Sequence, residues 1–415
     1  MTQHYLSPRW SNEVTDCSMP MTFDTYSACS YGCLYCFSLY QRANSQKRHF
    51  TTDVLAVDPE RVKRIFTNPR NLAERQFWPY VQARRPMQWG GLSDQFDEQE
   101  RKRGVTLELL RFFRDLAYPI SFSTKSTWWT QDARYLDLFR GMPWNVKFSI
   151  ITLDGEIARR VECGVDSPDE RLEAMGRVAA VTAGGVTLRL RPFIIGISSR
   201  THKELIQRAA DHGATAVSTE FFCLEVRSRF ARDNCYPKLS QLAGFDLYEF
   251  YRKHTPNPAG YLRLTREVKR RYVDEMQEAC NRYGLRFYVS DAHFKERCAN
   301  GSCCGLPATW DYSRGQFTEA LQIAKAKGSV RWSDIAPDAN ALLGAIPWER
   351  AEGFNTRDST FRARFFDKSL AEWLRYVWNH PNQQNAPYRY FEGVMKPIGL
   401  DSEGDVVYEY DPERA

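Results

Sequence analysis

No run of about 18 apolar residues occurs anywhere in this 415-residue sequence, so a membrane-spanning helix is not expected. The opening stretch MTQHYLSPRW has no apolar core of the kind a secretion signal carries. No repeat of fixed period and no low-complexity tract stands out, which argues against solenoids and linkers. Charge of neither sign is in large excess: 57 Lys and Arg against 51 Asp and Glu leave a net +6. That balance permits a nucleic-acid partner without demanding one, because a nucleic-acid footprint is a patch and not a total. The chain holds 11 cysteines, an odd number, and lacks a signal peptide, which argues against a disulfide framework. The expectation is a soluble protein of a reducing compartment, cytoplasmic and without membrane contact. Aromatic residues are not scarce, with 11 Trp and 21 Tyr, and most of these are expected in ordinary core and surface roles.

Where cysteines are present, they crowd. Cys29-Ser30-Tyr31-Gly32-Cys33-Leu34-Tyr35-Cys36-Phe37 places three thiols within eight residues, on a loop with Gly32 available for a tight turn. Cysteines at i, i+4 and i+7 can converge on one point, and thiolates select zinc, copper(I) or an iron–sulfur cluster. A closed zinc site wants a fourth ligand, usually from a second close pair, and no later CxxC or HxxxH pair supplies it. Three ligands are therefore the natural reading. On a cubane cluster, three thiolates leave one iron open to a small molecule.

Around this loop the chain alternates strand and helix signals. Residues 19–26 read as a first strand, and 58–66 as a helix capped by Asp58 with Pro59 in its first turn. A short apolar run from Pro86 ends in Gly90-Gly91 as the second strand and its loop, followed by a helix over 98–116. Residues 120–124 form the third strand, 132–139 a short helix and 146–152 the fourth strand. Ser167-Pro168 caps a helix to about Ala183, and 186–195 alternates as a fifth strand. A helix over 201–212 precedes the sixth strand at 216–222. Six strand–helix repeats imply a parallel sheet with helical crossovers. Six strands are too few for a closed eight-stranded barrel, so the expected fold is α/β, a partial (β/α)6 TIM-like barrel with a C-terminal α+β extension. In such folds ligands gather at the carboxyl ends of strands, where the paired glycines, Lys125, Thr152 and Gly196 all fall.

The stretch 227–257 breaks the pattern, after which 265–283 reads as a long amphipathic helix and 285–290 as a strand. The predicted organisation is an N-terminal extension over 1–18, a core over 19–225, an insertion with closing helix and strand over 226–297, and a substrate-side region over 298–415.

CxxxCxxC with an aromatic residue, Tyr35, before the last cysteine resembles the signature of radical S-adenosylmethionine enzymes. The resemblance sharpens further along. Gly90-Gly91-Leu92-Ser93-Asp94 before a leucine-rich helix, Ser123-Thr124-Lys125-Ser126, Phe148-Ser149 with Thr152, residues 161–172 and Arg191-Pro192 with Gly196 are similar to the spore photoproduct lyase-like, DNA photolyase-like radical group. These stretches cover about residues 20 to 225.

The resemblance implies a 4Fe–4S cluster held by Cys29, Cys33 and Cys36, with S-adenosyl-L-methionine on the open iron. It implies that reductive cleavage of that cofactor yields a 5′-deoxyadenosyl radical, with electrons from an external donor of flavodoxin or ferredoxin type. By the same resemblance the surroundings of Tyr35 and Phe37 meet the adenine, and Gly90 and Gly91 admit the methionyl amine beside Ser93 and Asp94. Lys125 pairs with the methionyl carboxylate, Ser149 and Thr152 reach the ribose or carboxylate, and Arg191 and Ile195 lie where the fifth strand meets the cofactor. One departure matters: the family's hydrogen-donor cysteine, two residues before the Ser-Asp pair, is here Gly91. A tyrosine or another cysteine would have to take its place, with Tyr31, Cys303 and Cys304 as candidates, or the last radical would return to 5′-deoxyadenosine as in an isomerase.

A second cysteine group, Cys298 with Cys303-Cys304-Gly305, could ligate an auxiliary cluster or metal, or line the site's mouth. Adjacent cysteines bind one metal awkwardly, because their side chains diverge in extended backbone. His293 nearby reads equally as a hydrogen-bonded surface residue. Near the C-terminus, Phe366, Leu370, Trp373 and Val377 share a helical face and read first as core, with Arg364, Lys368 and Arg375 opposite, open to phosphates. Residues 406–410 read as a terminal strand. The expected function is radical chemistry on a nucleobase, thymine or a thymine-derived base in DNA, in repair or in biosynthesis of a modified base. The competing readings are a radical enzyme for a peptide or small metabolite, and a metal-binding module without catalysis.

Overall fold

A computed structural model describes residues 4–11, 17–38, 54–256, 260–307, 309–312, 317–343, 370–383 and 385–415. The chain divides into two compact units. The first comprises Met1–Ser7, Phe23–Pro59 and Trp89–Phe287, and the second Pro8–Thr22, Glu60–Gln88 and Tyr288–Ala415.

The strands that matter here are β1 (Met21–Phe23), β2 (Met87–Trp89), β3 (Ile120–Thr124), β4 (Asn145–Ser149), β5 (Val186–Phe193), β6 (Ala216–Phe221), β7 (Arg286–Val289), β8 (Met395–Leu400) and β9 (Val406–Tyr410). In the first unit a mixed α/β arrangement surrounds a sheet ordered β1 to β7 in sequence, with β1, β2 and β7 contributing Phe23, Trp89 and Arg286–Phe287. The pairs β3–β4, β4–β5 and β5–β6 are parallel, as the strand–helix alternation requires. Both faces are covered, so β3 and β4 are buried at every position.

Helices fill the crossovers close to their expected bounds: Ala133–Phe139 behind the N-cap Asp132, Pro168–Ala179 behind a full capping box of Ser167 and Glu170, His202–Asp211, and Arg266–Arg282. The helix expected over 98–116 is two helices, Glu98–Arg103 and Val105–Asp115. Gly104, at φ +67°, ends the first in the left-handed conformation that glycine adopts without a Cβ penalty. The core of this unit is aromatic: Trp89, Phe96, Phe122, Trp129, Phe139 and Trp144 are fully buried, with Phe96 stacked on Trp129 at 4.3 Å between ring centres. The pattern-breaking stretch forms helices Tyr236–Ala243 and Leu247–Lys253 after a short π-type turn at Ala231–Cys235.

The second unit is of mixed α and β type. Helices Phe317–Lys327, Trp332–Leu343 and Leu370–Trp378 accompany a small antiparallel sheet in which Val406–Tyr410 lies between Met395–Leu400 and Ser329–Val330. Trp373 and Val377 are buried, as the apolar stripe requires. Arg375 departs from its expected role, since its guanidinium forks onto Asp405 at 3.0 and 2.7 Å. Phe366, Arg364 and Lys368 lie outside the described residues. No described helix is long and apolar enough to cross a membrane.

Candidate active site

The three-thiol loop is built into the first unit by backbone and side-chain ties on both sides. Gly32 and Cys33 pair antiparallel with Cys163 and Glu162, and the Leu34 amide donates to the Val161 carbonyl at 2.9 Å. On the other side, Asp97 accepts from the amide of Ser30 at 2.7 Å and from its hydroxyl at 3.1 Å. Asp97 also accepts from the Gln99 amide as N-cap of the helix Glu98–Arg103, so one carboxylate fixes a helix start and the residue after Cys29 together.

The three thiols influence one another electrostatically. Burial, then Cys36 and Asp97, push the Cys29 thiol up to about 12. Burial also raises Cys33 well above the ordinary thiol value, while the nearby Lys125 cation opposes the shift. All eleven cysteines carry thiols and not disulfides. Among the described residues, no three Cys, His, Asp or Glu side chains are set to hold a single metal ion. Three thiolates on separate irons need not meet at one point, so the soft donor set fits a cluster better than one tetrahedral ion.

Tyr35 does not lie free for stacking. Its ring is buried and its hydroxyl donates to Glu162, which also pairs with Arg171 at 2.8 Å; both charged side chains are buried. Arg171 further donates to the Ser149 carbonyl at 2.7 Å. The motif tyrosine, the end of β4 and the helix Pro168–Ala179 are therefore joined through one buried ion pair. Sequence reading missed Glu162 and Arg171 as site residues, although both fall within the stretch that carries the family resemblance. Lys125, just past the end of β3, sits 5.7 Å from the centre of the Tyr35 ring, so strand end and thiol loop do come together. Phe37 is 43% exposed and remains available to a ligand. Tyr31 is buried beside the thiols, and burial with the charges of Asp94 and Asp97 raises its phenol well above the ordinary range.

Other predicted residues have structural partners. Gly90 has φ +88°, and a Cβ there would stand 2.4 Å from Gln95 Oε1 and 2.5 Å from the Ser123 carbonyl. Ser93 donates to the Tyr26 carbonyl at 2.7 Å, and its amide and that of Leu92 donate to the buried Asp24. Asp94 accepts from the Thr124 hydroxyl and the Lys125 amide, the latter at 2.6 Å. Asp94 thus positions the strand end that carries Lys125. Thr152 shares a hydrogen bond with Thr201 and accepts from the Asp154 amide, forming the turn before the helix Gly155–Val161. Arg191 pairs with Glu220 on the neighbouring strand, and Ile195 is buried. Ser149 and Gly91 lie at the ends of β4 and β2, where they were expected.

In the second unit, Cys298 exchanges hydrogen bonds with the backbone of Val289 at 3.3 Å. Cys303 and Cys304 lie with their sulfurs 3.9 Å apart. His293 pairs with Glu392.

The fold and the loop define a mixed α/β protein whose parallel sheet carries a three-thiol segment beside its strand ends. Its fold resembles that of spore photoproduct lyase. A cysteine variant of that enzyme is 16% identical, with a TM-score of 0.50, covering 69% of this chain and 81% of the other. The enzyme complexed with dinucleoside spore photoproduct is 18% identical, with a TM-score of 0.49, over 69% and 81% of the two chains. No family model and no curated protein sequence matches the chain.

Proposed function

We propose that this chain is a radical S-adenosylmethionine enzyme of lyase or isomerase type acting on a nucleobase, thymine or a thymine-derived base in DNA. The meeting of Lys125, Tyr35 and Cys33 carries the reading, because it sets a cation beside a three-thiol loop at the end of a parallel strand. The sequential order β1 to β7 supports reading the sheet as the open partial barrel of that superfamily. Cys29, Cys33 and Cys36 would hold the 4Fe–4S cluster and leave one iron for the cofactor. When bound and reduced by a flavodoxin- or ferredoxin-type donor, cluster and S-adenosylmethionine supply a 5′-deoxyadenosyl radical.

The chain's own residues bind and orient. Lys125 would pair with the methionyl carboxylate, the backbone at Gly90 and Gly91 would admit the amine, and Ser149 and the exposed Phe37 would lie toward the nucleoside. Glu162 and Arg171 hold Tyr35 so that the loop keeps its shape without the cluster. With Gly91 in the place of the family's donor cysteine, Tyr31, Cys303 and Cys304 are the hydrogen donors proposed. A base inside a duplex must first be extruded, at a cost of about a few kcal/mol.

The test is anaerobic reconstitution with iron and sulfide, then dithionite and S-adenosylmethionine with DNA oligonucleotides. Release of 5′-deoxyadenosine together with a mass change in a digested nucleoside supports the reading. Release without dependence on DNA points to another substrate class, and no 5′-deoxyadenosine at all points to a binding module.

A further inference from the structure

Cys303 and Cys304 are neighbours in sequence, and their sulfurs approach to 3.9 Å. Their loop is firmly placed. The Cys304 amide donates to Ser302 Oγ at 3.1 Å, the Ser302 amide to Asn300 Oδ1 at 2.9 Å, and Asn300 Nδ2 to the Leu306 carbonyl at 3.3 Å. Ser18 donates to the Ser302 hydroxyl at 3.0 Å. Cys304 packs against a buried cluster of Met19, Leu306, Trp310 and Tyr312. Cys298, the third thiol of the segment, is buried and hydrogen-bonds the Val289 backbone at 3.3 Å. Both vicinal thiols are half-buried, which leaves them open to a small reagent. The contact with Cys304 and burial raise the Cys303 thiol well above its ordinary value; the buried Lys295 opposes that rise, and its amine donates to the Tyr390 hydroxyl at 3.2 Å.

We infer that Cys303 and Cys304 form a redox-labile dithiol that closes to a vicinal disulfide by exchange with a low-molecular-weight disulfide. The Cys303 thiolate attacks one sulfur of the reagent, releasing one thiolate and forming a mixed disulfide. The Cys304 thiolate then displaces the second thiolate. The pair loses two electrons, the reagent is reduced to two thiols, and the two protons pass to the released thiolates. Lys295 stabilises the attacking anion. Adjacent Cα atoms stand about 3.8 Å apart, below the usual span of about 4.4–6.8 Å across a disulfide, so the product is strained and readily reduced. Reversible capture, and not a permanent staple, is the expected behaviour.

The same two thiols are proposed above as hydrogen donors, but the test needs no radical chemistry, so the two readings fail separately. The full chain is equilibrated in glutathione buffers of graded ratio, quenched with acid, unfolded and alkylated, and the peptide holding residues 298–307 is read by mass spectrometry. The expected result is loss of two hydrogens with both Cys303 and Cys304 protected from alkylation, reversed by excess reduced glutathione. Cys304→Ser, which changes little in shape, should arrest the reaction as a glutathione adduct on Cys303. Full alkylation of both residues at every ratio would overturn the inference. So would oxidation that links either residue to Cys17 or Cys298.

Discussion

The Tyr35 hydroxyl donates to the carboxylate of Glu162, 127 positions away, and Arg171 pairs with the same carboxylate at 2.8 Å. The last stretch of the thiol loop is thus fixed by a buried charge pair. Removing one partner of such a pair strands the other, at about 3–5 kcal/mol, whereas removing one hydrogen-bond donor costs about 1–3 kcal/mol. Glu162→Ala should therefore destabilise the apo chain more than Tyr35→Phe does, by urea denaturation. Equal losses in the two variants would mean that Arg171 finds another partner and that the pair does not organise the loop.

Cys33→Ala should abolish both iron–sulfur absorbance and release of 5′-deoxyadenosine. Cys163→Ser is the matched control, because Cys163 pairs with Gly32 through its backbone and exposes its side chain. It should bind iron as the wild type does. If Cys33→Ala bound a full complement of iron, the ligand assignment would be wrong.

Lys125 lies 5.7 Å from the centre of the Tyr35 ring in the thiol loop, and its loss should act on cofactor binding more than on folding. Lys125→Met should weaken S-adenosylmethionine binding by about 1.5–3 kcal/mol, or roughly ten- to hundredfold. Isothermal titration of the anaerobic, cluster-loaded protein measures this. Unchanged affinity would leave Lys125 a mere neighbour of the Tyr35 ring.

Much of this was legible in the sequence because it is local. The strand and helix alternation, the caps Asp132 and Ser167, and the thiol spacing are patterns within a few residues, and the structure places the elements near their expected bounds. The broken helix at Gly104 had a local signal that was passed over: three basic residues in a last turn followed by glycine. The Glu162–Arg171 pair had none, because neither its burial nor its meeting with Tyr35 is written in neighbouring residues. For Ser93, Asp94 and Thr152 the sequence shows the polar groups but not their partners. Each looks available in sequence, yet each already serves a backbone group in the fold.

A pH dependence follows from Glu74 in the second unit. Its buried carboxylate accepts from the Arg70 amide at 2.8 Å and from Arg64 at 3.2 Å, and these hold it below its ordinary value of 4.5 against the opposing effect of burial. A carboxyl lowered in the folded state stabilises above the unfolded value and loses that contribution as pH falls through the folded one. The advantage of wild type over Glu74→Gln, about 1 kcal/mol, should hold at neutral pH and shrink below about 4.5. Thermal unfolding across pH checks it. An advantage that grew on acidification would reverse the sign and refute the argument.

Gly90 separates a structural demand from a cofactor demand. A Cβ there would stand 2.5 Å from the Ser123 carbonyl, which is backbone and cannot swing aside, and φ +88° is a conformation that alanine adopts at a cost. Overpacking of this kind costs typically about 1–3 kcal/mol, with backbone strain of about 1–3 kcal/mol added. Gly90→Ala should therefore destabilise the apo protein by about 2–6 kcal/mol, before any cofactor is present. Gly91 does not share the positive φ of its neighbour, so Gly91→Ala should cost the apo protein less than Gly90→Ala does while impairing cofactor binding. Denaturation midpoints of the two apo variants, read beside their affinity for S-adenosylmethionine, distinguish the cases. A stable Gly90→Ala chain would show that β2 and β3 can part at this point, and that the glycine is kept for the ligand alone.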